Sequence, residues 1–444
     1  MDILLVILPI LFPFGAALAL ALGKPRKVRP WTSAAGAAEL VLLLPPIITG
    51  ADAGICRCDR LGAVFALLAG VVFLLWAISA REHTGAHLFL MSLGALVSLS
   101  FAANPLFMVL SFAAVCLLGV PAFRCEGTER ARLVGSMFLM YAALSVILAL
   151  FGTVWGLLGG PGPVCAFISI LGFGAMAGLF PLYPWLPDTC QLSTGAALIS
   201  SLINNAGILC IIRTVYTLFG QDLIRGTWVQ YAWSALAIAT ALMGTWLALR
   251  EKFLRRELGY ANASHCGYIL IGLASLTAEG FMGALLHVVF RTIIDCGLTI
   301  AADSILHYTG ISASMEMRGI GRQLPRTMAA FCVLSLGLAG VPPIGGFISL
   351  WHLGLGSLAS GLGILGWLGA LTLPVCIVVT AGYILPSAVG AFWPGAEFDF
   401  SGLSEDGPNG LIVWPVTVCA AFTVLLGLWP APLTELIAGI MEVL

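Results

Sequence analysis

The 444 residues are 60% hydrophobic and only 9% charged, with a formal net charge of −1 and a mean hydropathy of +1.04. Soluble domains carry about 25% charged residues, so this composition excludes an ordinary soluble enzyme. The balanced charge leaves no basic surface suited to nucleic acid.

Apolar runs bounded by charged, glycine-rich or proline-rich breaks fall at 2–22, 32–50, 61–80, 86–103, 105–123, 131–158, 164–184, 194–219, 229–250, 257–276, 280–307, 327–360, 363–385 and 411–430. Most reach the ~20 apolar residues that a bilayer-spanning helix requires. Backbone groups in lipid must be satisfied internally, and a barrel would alternate in shorter segments, so these runs are helices. The expected fold is an all-α polytopic membrane protein with about 14 transmembrane helices.

The first run begins almost at Met1, without a basic leader or a small-residue cleavage site, and is read as a retained helix rather than a signal peptide. Glu39 stands inside the second run, either as a channel residue or as a group that snorkels or meets a partner chain. Cys56 and Cys58 form a lone CxC in the following loop, suited to a disulfide or free thiols. Two thiolates without a second pair do not make a metal site, so no metal is expected. Of the twelve cysteines, Cys116, Cys165, Cys210, Cys266, Cys296, Cys332, Cys376 and Cys419 lie singly in apolar runs and read as small hydrophobes.

The seventh run is interrupted near its end by Phe180-Pro181-Leu182-Tyr183-Pro184-Trp185, and the twelfth by Gly340–Gly346, which contains Pro342 and Pro343. Prolines remove donors there and glycines permit a break. Paired interruptions in two halves of a chain point to inverted repeats. The division that follows is an N-terminal part of three helices, 1–85, then five-helix repeats at 86–220 and 229–386, and a final part at 387–444 with an acidic loop and the last helix. In that loop Glu397, Asp399, Glu405 and Asp406 form a solvated linker or a docking surface. No further long helix is expected after Pro432.

Counting basic residues tests the topology. With both termini outside, Lys24, Arg26, Lys27, Arg29, Arg81, Arg124, Arg130, Arg132, Arg250, Lys252, Arg255, Arg256, Arg318, Arg322 and Arg326 fall inside. Only Arg57, Arg60, Arg213 and Arg225 fall outside, and Arg291 lies within the membrane. That asymmetry fits the positive-inside rule and an even number of crossings.

Three stretches carry a family resemblance. Phe180 to Arg213, FPLYPWLPDTCQLSTGAALISSLINNAGILCIIR, resembles a PLHTWLPDA…PTPVSALLHAATMV signature. Arg256 to Leu273, RELGYANASHCGYILIGL, is similar to KRLLAYSSISHLGYLLLGL, and Leu336 to Trp351, LGLAGVPPIGGFISLW, to LALAGLPPLSGFFSKW. Asp59-Arg60-Leu61 and Asn104-Pro105-Leu106 match further landmarks. The chain thus resembles the antiporter-like subunits of respiratory complex I, Mrp sodium/proton antiporters and membrane-bound hydrogenases.

That resemblance implies fourteen helices, inverted repeats and a mid-membrane axis of charged residues. Carried across, the family glutamate of the fifth helix falls on Ala113 and the lysine of the seventh on Met176. The lysine of the eighth falls on Asn204 or Asn205, the His/Lys pair of the eleventh on Arg291 and Asp295, and the lysine of the twelfth on Leu350. Only His265, within the SHxGY pattern, is kept. Pro181, Asp188, Arg213, Pro342 and Pro343 read as architecture, with Asp188 capping exposed donors at the helix break and Arg213 snorkelling.

A short polar row of Asn204, Asn205, His265, His287, Arg291 and Asp295 is the candidate ion path. His287, Arg291 and Asp295 share a helix face at i, i+4 and i+8. A rise of about 1.5 Å per residue puts Asn204, His265 and Arg291 near mid-membrane. In one reading His265 and His287 carry protons, since histidine titrates near neutral pH, while Arg291 is a fixed charge. In the other, Arg291 and Asp295 neutralise each other as an i,i+4 pair, His265 is a hydrogen-bonded core residue and the asparagines are interhelical contacts. Asp303, nearer the basic end of its helix, reads as a solvated cap.

The lost charges favour a poorly conducting or structural member of an ion-translocating arm over an active proton translocator. A stand-alone secondary transporter is the third possibility. No catalytic or redox-cofactor motif is present, so the chain is expected to hold no cofactor. Electron transfer would then belong to iron–sulfur or redox subunits, reached through neighbouring membrane-arm subunits in a prokaryotic cytoplasmic membrane.

Overall fold

The computed structural model describes residues 2–23, 28–80, 85–393 and 410–442. The basic residues Lys24, Arg26, Lys27 and Arg81 and the acidic residues Glu397, Asp399, Glu405 and Asp406 lie outside the described residues. Helices occupy every one of the fourteen expected runs. They are α1 (Asp2–Gly23), α2 (Val28–Thr49), α3 (Arg60–Ser79), α4 (Ala86–Ser100), α5 (Pro105–Arg124), α6 (Glu129–Leu157), α7 (Gly162–Met176), α8 (Trp185–Thr189), α9 (Thr194–Ile212), α10 (Gln221–Ile224), α11 (Trp228–Arg250), α12 (Leu254–Ala274), α13 (Ala278–Thr309), α14 (Pro325–Leu338), α15 (Gly346–Leu358), α16 (Ile364–Gly390), α17 (Gly410–Leu428) and α18 (Ala431–Met441). Only isolated bridges represent β-structure among the described residues.

The chain is an integral membrane protein. Among the described residues ten helices are long and apolar enough to cross a membrane, and α4, α7, α14 and α18 are shorter apolar helices. α12 spans 21 residues, yet it carries Arg255, Arg256, Glu257, Asn262 and His265, which lower its hydropathy. Nearly every residue from Leu254 to Ala274 is enclosed by protein.

Polar side chains start many of these helices. Asp59 caps α3 by accepting from the Gly62 amide, and Asn104 caps α5 ahead of Pro105. Thr128, Ser193 and Thr277 do the same for α6, α9 and α13. An N-cap oxygen satisfies amides that have no partner within the helix. Two of the sequence landmarks, Asp59 and Asn104, are thus helix starts.

The two interruptions share one local design. After α7, Gly178 is left-handed at φ 81° and the Leu179 amide reaches back to the Gly174 carbonyl at 2.8 Å. After α14, Gly340 is left-handed at φ 63° and the Val341 amide reaches the Leu336 carbonyl at 3.0 Å. Glycine tolerates this conformation without a Cβ penalty. Each helix therefore ends on a glycine, and Pro181, Pro342 and Pro343 follow the stop rather than cause it. Trp185 Nε1 donates to the Ala175 carbonyl at 3.0 Å, satisfying one acceptor freed at the end of α7.

Packing groups the chain into two compact units, Met1–Leu236 with Ala438–Leu444, and Ala237–Ile437. In the first, Arg60 Nη1 donates to the Gly439 carbonyl on the tail helix α18. α18 was not foreseen as a helix, because eleven residues are too few to register as a crossing run.

Candidate functional site

The second unit holds the densest buried polar group. α12 and α13 are successive antiparallel helices, and α13 is fixed by the Thr277 cap at one end and left-handed Gly310 at the other. α15 lies directly against α13: a Cβ on Gly283 would come within 2.6 Å of the Leu353 backbone nitrogen. That approach brings Ser349 of α15 to His287 of α13.

A directional hydrogen-bonded chain results. The Ser349 hydroxyl donates to the Gly346 carbonyl at 2.8 Å, so its oxygen is left to accept. His287 Nδ1 lies 2.8 Å from that oxygen and therefore carries the proton. His287 Nε2 is then the acceptor, and it lies 2.9 Å from His265 Nδ1, which donates. The two imidazoles stack, with centroids 5.1 Å apart and planes 6° from parallel. The chain ends at His265 Nε2, a buried ring nitrogen with a lone pair and no hydrogen-bond partner among the described residues. The tautomers follow from the partners, as a histidine's two nitrogens must divide donor and acceptor roles.

One turn away, Asn262 joins the two charged residues of α13. Arg291 Nη1 donates to Asn262 Oδ1 at 2.5 Å, and Asn262 Nδ2 donates to Asp295 Oδ2 at 3.1 Å. Arg291 Nη1 also meets Cys266 Sγ at 3.0 Å. Arg291 is only 2% exposed. A guanidinium so placed needs neutralisation and full hydrogen bonding, because desolvation alone costs several kcal/mol. The i,i+4 spacing expected of Arg291 and Asp295 is thus joined by a carboxamide from the neighbouring helix. Cys266, expected to be a plain small hydrophobe, is a polar contact.

Sequence reasoning missed Asn262, Cys266 and Ser349. Asn262 and Cys266 flank His265 on one helix, and that spacing could have flagged them. Ser349 stands 62 residues from His287, and nothing local joins the two. Asp303 is not a simple solvated cap, since its carboxylate pairs with the Arg255 guanidinium. Leu350, where the family places a lysine, is a buried apolar residue in the first turns of α15.

In the first unit, Asn204 and Asn205 are buried on α9. Ala113 lies on α5, and Met176 is the last residue of α7, where the break begins. No titratable side chain stands at any of these positions. Asp188 lies inside α8, whose N-cap is Pro184, and the N-cap of α9 is Ser193.

Arg213 does not snorkel. It opens a π-helical turn, Arg213–Leu218, and grips Asp59 with both arms: Nη1 to Oδ2 at 3.0 Å and Nη2 to Oδ1 at 2.9 Å. Nη2 also donates to the Ser100 carbonyl at 2.7 Å. A carboxylate 154 residues away provides a stronger counter-charge than the interface. Glu39 likewise neither snorkels nor reaches a partner surface. It is 0% exposed at the middle of α2, and neither carboxyl oxygen has a hydrogen-bond partner among the described residues.

Among the described residues no two cysteines form a disulfide. In the loop before α3, burial and the neighbouring Asp59 carboxylate push the Cys58 thiol up to about 12, against an opposing pull from Arg213. Burial also raises Cys56. Such thiols are poorly disposed to become thiolate ligands.

Residues 131–372 match the family described as NADH:quinone oxidoreductase/Mrp antiporter, transmembrane. The chain belongs to that family. NADH-quinone oxidoreductase subunit N of Desulforudis audaxviator is 30% identical over 243 residues, covering 54% of this chain and 47% of that protein. Hydrogenase-4 component B of Escherichia coli is 30% identical over 202 residues, 42% of this chain and 29% of that protein. The F(420)H(2) dehydrogenase subunit N of Methanosarcina mazei is 24% identical over 424 residues, 85% and 83% of the two chains. The match spans about half the length of the first of these relatives and less of the second.

Solved structures carry the same fold. A chain of Thermus thermophilus respiratory complex I with bound NADH superposes with a TM-score of 0.83 at 23% identity, covering 100% and 99% of the two chains. A chain of the Mrp complex from Dietzia sp. gives 0.85 at 17% identity over 98% and 96%. The archaeal membrane-bound sulfane sulfur reductase gives 0.85 at 19% identity, with the same coverages. The antiporter-like architecture of this family is therefore the architecture of the chain, and its helices α12, α13 and α15 bear the polar group.

Proposed function

We propose that this chain is an antiporter-like subunit in the membrane arm of a proton- or sodium-translocating assembly of the complex I or membrane-bound hydrogenase type. Within it the chain is a poorly conducting member, whose proton-exchanging groups are confined to the second unit. Family membership supports the first part, as do relatives named as subunits of quinone oxidoreductases and hydrogenases. The second part rests on one observation: the His265–His287–Ser349 chain. Histidine is the side chain whose ordinary titration range spans physiological pH, and two linked imidazoles can accept a proton at one end and pass another from the far ring. Ala113, Met176 and Leu350 cannot exchange protons, which sets the limit on conduction.

In this reading the segments 86–220 and 229–386 are inverted five-helix repeats. The chain sits in a prokaryotic cytoplasmic membrane with its termini on the outer side, as the distribution of basic residues favours. Neighbours are other membrane-arm subunits, and iron–sulfur or redox subunits supply electron transfer indirectly.

The test is to purify the complex through an affinity tag on this chain and measure ion movement in proteoliposomes. His265→Asn is expected to lower proton movement per electron in part, with assembly and electron transfer intact. Unchanged proton movement in an intact complex would mean a purely structural member. A chain that purifies alone and moves a solute would instead be a stand-alone transporter.

A further inference from the structure

Beyond the histidine pair, the second unit holds a polar contact at the Thr277 end of α13 that the proposed chain does not use. Glu279 lies in the first turn of α13, and His352 lies in the middle of α15. His352 Nδ1 donates to Glu279 Oε2 at 2.6 Å, across 73 residues of sequence. The Glu279 side chain is 51% exposed and that of His352 26%, so the pair sits at the rim of the helix contact. His287 and Ser349 are buried on the same two helices.

The two helices meet along one antiparallel register. A Cβ on Gly356 would collide with the Gly280 backbone, and one on Gly283 would come within 2.6 Å of the Leu353 nitrogen. His287 then bonds Ser349 at 2.8 Å. Along α13 the rungs are Gly280, Gly283 and His287, spaced by three and four residues. Along α15 they are Gly356, Leu353 and Ser349, spaced likewise. Such spacing keeps each set on one helix face. The histidine–serine bond is thus the last rung of a seam whose other rungs are close backbone contacts.

Backbone contact of this kind brings helices close but holds their register poorly, because dispersion is weak for each atom pair. The break between α14 and α15 also frees α15 from the direction of α14. Directional bonds must therefore set its position. Among the described residues, Thr277 Oγ1 donates to the Gly356 carbonyl at 3.3 Å, and His352 donates to Glu279 at 2.6 Å. The second is the shorter, and a carboxylate acceptor makes it one of the stronger kinds of hydrogen bond. It joins the rim of α13 to a residue one turn from Ser349.

We infer that Glu279 and His352 are positioning residues of the histidine chain, whose hydrogen bond holds α15 at the register where the Ser349 oxygen meets His287 Nδ1. That acceptor keeps a proton on Nδ1 and leaves His287 Nε2 to accept from His265 Nδ1. Neither residue of the pair exchanges the translocated proton. Without the pair α15 shifts along the seam, the His287 ring loses its fixed acceptor, and the direction of the chain is no longer set. This inference rests on the proposed role of the histidine chain.

The experiment uses the tagged, reconstituted complex and reads proton movement per electron. Glu279→Ala removes the acceptor and is expected to lower proton movement by the same fraction as Ser349→Ala. Glu279→Gln keeps an oxygen for His352 Nδ1 and is expected to retain most of the movement. Adding Glu279→Ala to Ser349→Ala should bring no further loss, since the pair acts only through that serine; a further loss overturns the inference. Glu279→Gln as impaired as Glu279→Ala would make the carboxylate itself a proton carrier, which also overturns the positioning role. Wild-type proton movement in Glu279→Ala, alongside an impaired His265→Asn, rejects the inference and leaves the histidine reading standing. Wild-type movement in both removes the histidine reading and this inference with it. Should Glu279→Ala fail to assemble, His352→Ala removes the donor instead. Full proton movement in that variant would equally reject the pair's role.

Discussion

Each unit holds an arginine in a polar group, part-buried in the first and buried in the second, and the two are held in contrasting ways. Arg213, in the first, is gripped by both oxygens of Asp59 and by a backbone carbonyl. A forked guanidinium matched to a carboxylate is geometrically specific and locally neutral. The same carboxylate also caps α3, so one ion pair fastens the start of α3 to the end of α9. Arg291, in the second, rests on a carboxamide and a thiol and is joined to Asp295 by that carboxamide. Direct bidentate pairing makes a rivet. The second arrangement brings a neutral amide into the group and places a fixed positive charge one turn from the two imidazoles.

The strongest way to break this contrast is Asn262→Leu. It removes the amide that accepts from Arg291 and donates to Asp295, and leaving buried polar groups short of a partner costs about 1–3 kcal/mol, or more where they are charged. Thermal unfolding in detergent should show a clear loss, and an unchanged transition would deny that the carboxamide holds the two charges together. Asp59→Ala comes next. Losing a helix cap and one member of a partly buried pair is expected to cost about 2 kcal/mol, with proton movement in the assembled complex unaffected. Altered proton movement at wild-type assembly would transfer Arg213 from architecture to function.

The smallest effect concerns Cys58, beside the Asp59–Arg213 pair. Its folded value is raised to about 12, whereas an unfolded thiol sits near 8.5. A raised value favours the protonated, folded form. Its stabilising contribution is therefore fully present below about pH 8.5 and is lost as pH rises toward the folded value. Alkylation of the folded protein by iodoacetamide should stay slow at neutral pH, and rapid labelling of Cys58 there would show that a thiolate is already present.

The segments themselves are legible because crossing helices need long apolar runs, and even the polar α12 is bounded in the sequence by the breaks around 257–276. The sequence places both interruptions and credits prolines and glycines alike; in the structure Gly178 and Gly340 come first, and Gly178 lies just outside the Phe180–Trp185 stretch of the seventh run. Spacing along one helix placed His287, Arg291 and Asp295 together, since the 3.6-residue period is a local property. It could not reveal that Ser349 completes the histidine chain or that Asp59 anchors Arg213. Those contacts join residues 62 and 154 positions apart, through packing that no local pattern encodes. For Glu39 the sequence leaves a channel place and a snorkelling or partner-facing one open, and the stripe of Thr32, Ala35, Gly36, Glu39 and Leu43 turns it inward.

The polarity of α12 has a consequence for biogenesis. Arginine and aspartate each oppose insertion by about 2.5–3.5 kcal/mol when judged at the centre of an isolated helix. α12 carries Asn262 and His265, and α13 carries Arg291 and Asp295. Separately, each helix would present unsatisfied polar groups to lipid; as a hairpin, they satisfy one another before either meets the acyl chains. The two helices, joined by a turn of three residues between Ala274 and Ala278, are thus expected to insert as a pair.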